Sequence, residues 1–410
     1  MIARIVIPLI LVIVLSDLYI DVHYFRRRYS VTWWMRLLWW LPCIGLSAYT
    51  ISLASQRNFA PSDITWLYTY LLLLGFFVGP KAIFAICSFI GSCCIRLFNR
   101  PRFNPGHYLG IVLGIVAFGT YVYGLTFGLS QIRVTHTTLY FDNLPQAFDG
   151  YRILHVSDLH VGSFTNWRKQ ILKAEMDSIR KQQADLMVFT GDLQNMRPRE
   201  IIPYVPILAN TMRGTISILG NHDYARYVEA SPEEDKRMKR ELISIEREKL
   251  GWTPLVEEHI IIRRGNDSIV IAGEEDKGKS PYPNYAGSAK LMKSISPDAF
   301  LIMLQHNPAA WKTSVLPLTS AQLTLSGHTH GGQMQLFGLR PTMIGGQPDK
   351  GLYEENGRYL YVNAGLGGLI PFRLNMPNEI TLITLKSKRR SAGNTISRAG
   401  HKRQQTTHNK

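Results

Sequence analysis

The feature that most limits what this chain can fold into is the crowding of its apolar residues into the first third. Ile5 to Leu15, Trp33 to Ile51, Leu67 to Val78 and Leu109 to Val122 each belong to an apolar stretch. Each stretch comes close to the roughly 20 residues that a helix needs to cross a bilayer. Four transmembrane helices are therefore expected within residues 1–133. The first begins weakly basic, at Arg4, but no small-residue cleavage pattern precedes Arg26-Arg27-Arg28, so it reads as a retained anchor. The third is interrupted by Gly79-Pro80-Lys81, where a helix breaks or bends. Asp17 and Lys81 fall inside spans, towards the face of the basic loops, and snorkelling to the interface is the expected reading for both.

The loops set an orientation. The first carries Arg26, Arg27 and Arg28 and the third Arg96, Arg100 and Arg102, whereas the second has only Arg57. Basic loops stay in the cytoplasm. Four spans then place both termini, and the body that follows, on the opposite side of a cell (inner) membrane. Trp33 and Trp34 suit an interfacial belt.

A net charge of +16 suggests a nucleic-acid partner until it is divided by region. Residues 1–133 hold 11 Lys/Arg against 3 Asp/Glu, and residues 386–410 hold 8 against none, which leaves 27 of each sign between them. The surplus belongs to membrane flanks and a tail, so a phosphate-tracking groove for nucleic acid is disfavoured. Cys43, Cys87, Cys93 and Cys94 all lie in or beside the apolar stretches, so the body has no disulfide framework and no thiolate metal site.

After Arg133 the composition changes to short β-branched runs alternating with helical stretches. Arg152 to Ser157, Asp185 to Thr190, Thr215 to Leu219, Ile269 to Ala272, Phe300 to Leu304 and Leu323 to Ser326 read as buried strands. Trp167 to Gln183 and Pro232 to Leu250 read as helices. Such alternation implies a layered α/β body over 134–385. The polar, basic tail 386–410 is expected to be disordered.

Five short segments place metal-type ligands directly after an expected strand. They are Ser157-Asp158-Leu159-His160, Gly191-Asp192, Gly220-Asn221-His222-Asp223, Gln305-His306-Asn307 and Gly327-His328-Thr329-His330. Strand ends are where α/β sheets build sites. In an extended segment, Asp158 with His160 and His328 with His330 aim to one side, so each pair can bite one metal. Five of the 12 histidines fall in these segments. The glycine pairs Gly345-Gly346 and Gly367-Gly368 match no phosphate-loop pattern and read as turn chemistry near the site.

The order D-x-H, G-D, G-N-H-D, H, G-H-x-H resembles the calcineurin-like metallophosphoesterase superfamily over residues 134–385. The extended forms Val156 to Gly162 and Ser326 to Gln333 are similar to its membrane-associated bacterial branch. Gln322, at a position often acidic in that branch, departs from the pattern outside the ligand set. The resemblance implies a four-layer α-β-β-α sandwich behind the four membrane helices, and two divalent metal ions. Asp158, His160 and His330 would bind one, Asn221, His306 and His328 the other, and Asp192 would bridge them. His222 would be the proton donor or charge stabiliser, with Asp223 orienting it.

Mixed nitrogen and oxygen donors suit manganese, iron, zinc or cobalt. The expected reaction is hydrolysis of a phosphoester or pyrophosphate by a metal-bound hydroxide. A body tethered beside the bilayer favours a lipid-linked, envelope-related substrate. The alternatives are a phosphodiesterase for soluble nucleotides and a non-catalytic phosphate-binding membrane sensor.

Overall fold

A computed structural model describes residues 2–27, 29, 31–58, 60–61, 63–98, 103–224, 227–275 and 291–388. Arg28, Arg100 and Arg102 of the expected basic loops, and the tail from residue 389, lie outside them.

The chain divides into two compact units. The first holds Met1–Leu129 with the short segments Tyr227–Glu229 and Ile370–Leu374. Its helices are α1 (Val6–Ile20), α2 (Trp33–Ala54), α3 (Ile64–Leu73), α4 (Gly79–Leu97) and α5 (Pro105–Leu125). Four stretches are long and apolar enough to cross a membrane: Val6–Arg26, Trp33–Ala54, Ile64–Leu97 and Pro105–Ser130. The interruption at Gly79-Pro80 does not end the third. A widened turn at Leu74–Val78 joins α3 to α4, and Pro80 sits in the first turn of α4, where a missing N–H costs nothing. Gly106, Gly110 and Gly114 turn one face of α5 to Cys87, Phe84 and Pro80 of α4, the small-residue stripe that lets membrane helices approach closely.

The expectation that Asp17 and Lys81 snorkel is not met. Lys81 Nζ lies 2.7 and 2.8 Å from the two carboxylate oxygens of Asp17, and Asp17 is buried. Each satisfies the other inside the helix bundle, where an unpaired charge would be costly. Arg36 makes a second such pair, forked onto Asp21 at 2.6 Å through both Nε and Nη2.

The second unit is a pair of six-stranded sheets. Its strands are β1 (Ile132–Phe141), β2 (Arg152–Val156), β3 (Leu186–Phe189), β4 (Ile216–Ser217), β5 (Thr253–Pro254), β6 (Glu258–Arg264), β7 (Asp267–Glu274), β8 (Leu301–Gln305), β9 (Leu323–Ser326), β10 (Gly351–Glu355), β11 (Arg358–Val362) and β12 (Asn378–Ser387). One sheet runs β1-β12-β2-β3-β4-β5 and the other β10-β11-β9-β8-β7-β6. Parallel pairing of β1 with β12, from Ile132 with Asn378 to Phe141 with Ser387, carries the body two residues beyond each end of the expected 134–385.

The main core lies between the sheets and includes Leu139, Ile153, Val188, Ile271, Ile302, Leu325 and Ile383. Alternation along β8 shows why Leu301 to Leu304 are all apolar. Ile302 and Leu304 join this core, while Leu301 and Met303 face a second one with Trp311 and Val315. A strand buried on both faces has no position left for a solvated side chain. Helices α6 (Lys169–Arg180), α7 (Val205–Met212) and α8 (Pro232–Ser244) follow strands of the first sheet, and the helical turn Trp311–Val315 packs on the second core, on the outer face of the other sheet.

Candidate metal centre

The ligand-bearing segments leave the C-terminal ends of β2, β3, β4, β8 and β9, so both sheets contribute to one place. Chain reversal there demands unusual backbone. Asp158, His160, Asp192, His328 and His330 all hold positive φ, between 48° and 74°. Residues with side chains adopt that region rarely and at a cost, and its concentration in the ligand set marks a site that the surrounding structure holds in place. Glycines give the room. A Cβ on Gly191 would sit 2.5 Å from the Gly220 nitrogen and 2.8 Å from His306 Nδ1.

The side chains converge as three overlapping groups, Asp158 with His160 and His330, His160 with Asp192 and His222, and Asp192 with His306 and His328. In each, the candidate ligand atoms lie within 4.8 Å of one another. Oδ2 of Asp192 links the halves, at 3.5 Å from His160 Nε2 and 3.4 Å from His306 Nε2. On one side, His330 Nε2 is 3.5 Å from Asp158 Oδ1. On the other, His306 Nε2 lies 3.0 Å from Asn221 Oδ1 and 3.3 Å from His328 Nδ1.

The hydrogen bonds show that these donors fit a cation. His306 Nδ1 lies 2.7 Å from the Thr190 carbonyl, which only accepts, so that nitrogen carries the ring proton. Its Nε2 then turns a lone pair towards oxygens of Asn221 and Asp192 and a nitrogen of His328. Converging acceptors repel one another unless a positive charge sits among them. His160 is buried, and neither ring nitrogen makes a well-formed hydrogen bond among the described residues.

The electrostatics agree. Burial pushes Asp158 up to about 7 and His160 down to about 3. Burial would also raise Asp192, but the neighbouring His306 and His222 outweigh it and hold that carboxyl well below its ordinary value. A divalent ion relieves the cost of burying such carboxylates.

His222 stands at the half-buried rim, its Nδ1 2.6 Å from the Asn195 carbonyl, so Nε2 is free of that proton. The expected contact of Asp223 with the His222 ring is replaced by another arrangement. The Asp223 carboxylate accepts from the backbone N–H groups of Asp192 (2.7 Å), Gly220 (2.9 Å), Leu193 (3.0 Å) and Gln194 (3.3 Å). It fixes the loops that carry Asp192 and His222 rather than the imidazole itself. Burial, then the nearby Asp192, pushes Asp223 up to about 7.

Two contributors lie outside the expected ligand and catalytic residues, the second of them including Gly367, expected as turn chemistry near the site. Glu200 accepts from the N–H groups of Asn195, Met196 and Arg197, and so holds the carbonyl that meets His222. Its signal in sequence is a helix-cap pattern, Pro198 followed by Glu200, rather than a ligand motif. The stretch Gly365 to Gly367 also lines the centre, with Leu366 and Gly367 donating N–H to the carbonyls of Ser157 and Asp158.

The calcineurin-like phosphoesterase family matches residues 151–332, and a probable calcineurin-like phosphoesterase transmembrane domain matches residues 3–129. The metallophosphoesterase YkuE of Bacillus subtilis is 30% identical over 304 residues, 72% of this chain and 99% of that protein. The chain belongs to the calcineurin-like metallophosphoesterases. Other relatives of this phosphoesterase carry names that state a transmembrane character or a substrate of their own. A transmembrane protein with metallophosphoesterase domain from Danio rerio is 27% identical, over 77% of this chain and 74% of its own. The UDP-2,3-diacylglucosamine pyrophosphatase LpxG of Chlamydia trachomatis is 26% identical, over 59% and 86% respectively.

Proposed function

We propose that this phosphoesterase holds two divalent metal ions and hydrolyses a lipid-linked phosphoester or pyrophosphate of the cell envelope, with its catalytic body outside the cytoplasm. One observation carries the reading: a single oxygen, Asp192 Oδ2, stands about equally far from His160 and His306, the centres of two separate ligand groups. Asp158, His160 and His330 hold one ion, Asn221, His306 and His328 the other, and Asp192 both. Manganese, iron, zinc and cobalt all suit this mixture of donors. When bound, the pair of ions supplies the charge that clamps phosphoryl oxygens and makes water nucleophilic at neutral pH.

The chain's own residues then do the rest. His222, held at Nδ1 by the Asn195 carbonyl, directs Nε2 at the rim of the ligand cluster, where the imidazolium form, protonated on both nitrogens, can hand its Nε2 proton to the departing oxygen and return to the neutral ring. Asp223 and Glu200 act as positioning residues, since their carboxylates hold backbone rather than face the cluster. No Ser or Cys nucleophile is needed.

The substrate class rests on tethering and likeness. Four spans confine the body to the bilayer surface, and a relative is named for a diacylated, nucleotide-linked pyrophosphate. The orientation rests on the loop arginines.

The test uses full-length protein in detergent. Turnover of a generic aryl phosphodiester should vanish with a chelator and return with manganese. Detergent-presented lipid pyrophosphates should be hydrolysed faster than soluble nucleotides. A preference for nucleotides would overturn the substrate class, and metal binding without turnover of any ester would leave a phosphate-binding sensor.

A further inference from the structure

The metal-ligand segment Gly327 to His330 leads directly into a feature that no catalytic role explains. Met334 to Gly346 contains Leu336, Phe337, Leu339, Met343 and Ile344, all exposed, with Phe337 and Ile344 at 102% and 91% of full exposure. A soluble surface exposes single apolar residues freely, but a cluster of five within nine positions marks an interaction site.

The cluster has a built shape. Leu336 and Leu339 pair antiparallel through two backbone hydrogen bonds of 3.0 and 2.9 Å, leaving Phe337-Gly338 as a two-residue turn. Both turn residues have positive φ, 50° for Phe337 and 83° for Gly338. Such turns strongly prefer Asn, Asp or Gly at the first position. A phenylalanine there costs backbone energy and returns no packing, since its ring touches water on all sides.

The base, by contrast, is firmly held. Arg340 forks onto Asp349 at 2.7 and 2.9 Å, Thr342 adds a third bond at 2.7 Å, and Tyr353 OH a fourth at 3.1 Å. The Thr329 hydroxyl, between His328 and His330, donates to the Asp349 carbonyl. The hairpin is thus a rigid apolar tip fastened to the metal-binding segment.

We propose that this hairpin, Leu336 to Ile344, inserts into the bilayer interface and seats the mouth of the metal centre against lipid. The bilayer is the occupant the chain itself supplies. The last span ends at Ser130 and β1 begins at Ile132, so a single residue separates the membrane segment from the body. A narrow convex tip suits insertion between lipids, whereas a stable protein interface needs a broad patch of about 800 Å² per partner. From 333 to 348 there is no acidic residue to repel an anionic surface, and the charge of Arg340 is already matched by Asp349. Apolar side chains sunk to the headgroup boundary bind in proportion to the apolar area they bury, as in interfacial anchors, and the neutral base leaves that contribution unopposed.

The test reads depth directly and needs no turnover. In full-length protein with Cys43, Cys87, Cys93 and Cys94 changed to Ser, a nitroxide is placed at Phe337→Cys or Ile344→Cys. A third label at Asn356→Cys, in the exposed β10–β11 turn, is the aqueous control. After reconstitution into lipid nanodiscs, labels at 337 and 344 should shift towards relaxation by oxygen over a water-soluble nickel chelate, relative to 356. Two positions guard against one variant misfolding. Equal nickel accessibility at all three places the hairpin in water and overturns the proposal. Protection of 337 and 344 from both reagents means a protein partner covers it, which overturns it as well.

Discussion

Replacing Asp192 by Asn isolates the charge of the bridge from its shape. The amide keeps an oxygen to accept the His222 N–H, a bond of 2.7 Å in the native protein, so the loop geometry should survive. What disappears is the one negative charge that two cations would share. At a separation of about 4 Å and an effective dielectric near 20, a carboxylate attracts each unit of cation charge by about 4 kcal/mol, so a divalent ion by about twice that. Even half of that attraction is close to 10³ in affinity for each ion, if both sit beside the same carboxylate. The variant should leave a desalting column with well under the two metal equivalents expected of the native enzyme. Hydrolysis of an aryl phosphodiester should then demand far higher manganese. Elemental analysis and a manganese titration of rate measure the two effects separately. Retention of both equivalents with native turnover would refute the bridging role, and with it the dinuclear reading.

Three other outcomes follow from particular contacts. His222→Ala should keep most of the metal while lowering turnover by about 10²–10⁴, the usual worth of a general acid, and metal lost in step with activity would make His222 a ligand instead. Glu246, buried with Ser217 Oγ 2.6 Å away, is pushed by burial up to about 8 from its ordinary 4.5. The folded state therefore keeps a proton that the unfolded chain releases, and stability is fullest below about pH 4.5 and declines towards pH 8. Glu246→Gln should abolish that decline, with a melting temperature in detergent several degrees above native at pH 8 and little change at pH 5. A reporter fused after Lys386 should signal outside the cytoplasm and one at Arg26–Arg28 inside, and impermeant labelling of a cysteine near Ser387 that succeeds only after lysis would invert the orientation.

Six of the eight interior strands were legible, because burial on both faces leaves continuous apolar runs, and β11 and β12 were not. β2, β3, β7, β8 and β9 lie within or across the expected segments, and β4 inside a longer one. The four sheet edges β1, β5, β6 and β10 were not, since an edge strand shows solvent a polar face. β6 reads Glu-His-Ile-Ile-Ile-Arg-Arg and β10 Gly-Leu-Tyr-Glu-Glu. β12 alternates Thr with Ile and Leu, and its partner β1 lies some 240 residues away, a pairing that no local pattern encodes. The membrane pair Asp17–Lys81 was hidden for the same reason. Hydropathy places each residue in a span, but says nothing of which helix faces meet.

The convergence of the candidate metal ligands was legible in the sequence because Asp, Asn and His, directly after apolar strand runs, recur in five segments. The support around it was not, and the cases of Asp223 and Glu200 show why. Both carboxylates bind backbone N–H groups, a task defined by the path of a loop rather than by any side-chain pattern. Positive φ at five ligand residues makes these braces necessary. Each such residue costs of order 1–3 kcal/mol, and persists only where neighbours over-determine it. Asp223 ties Gly220 to Asp192, and Glu200 ties the strand-end loop at Asn195 to the short helix that follows it. The candidate ligands can hold strained positions because buried carboxylates that bind backbone N–H groups keep the loops from relaxing.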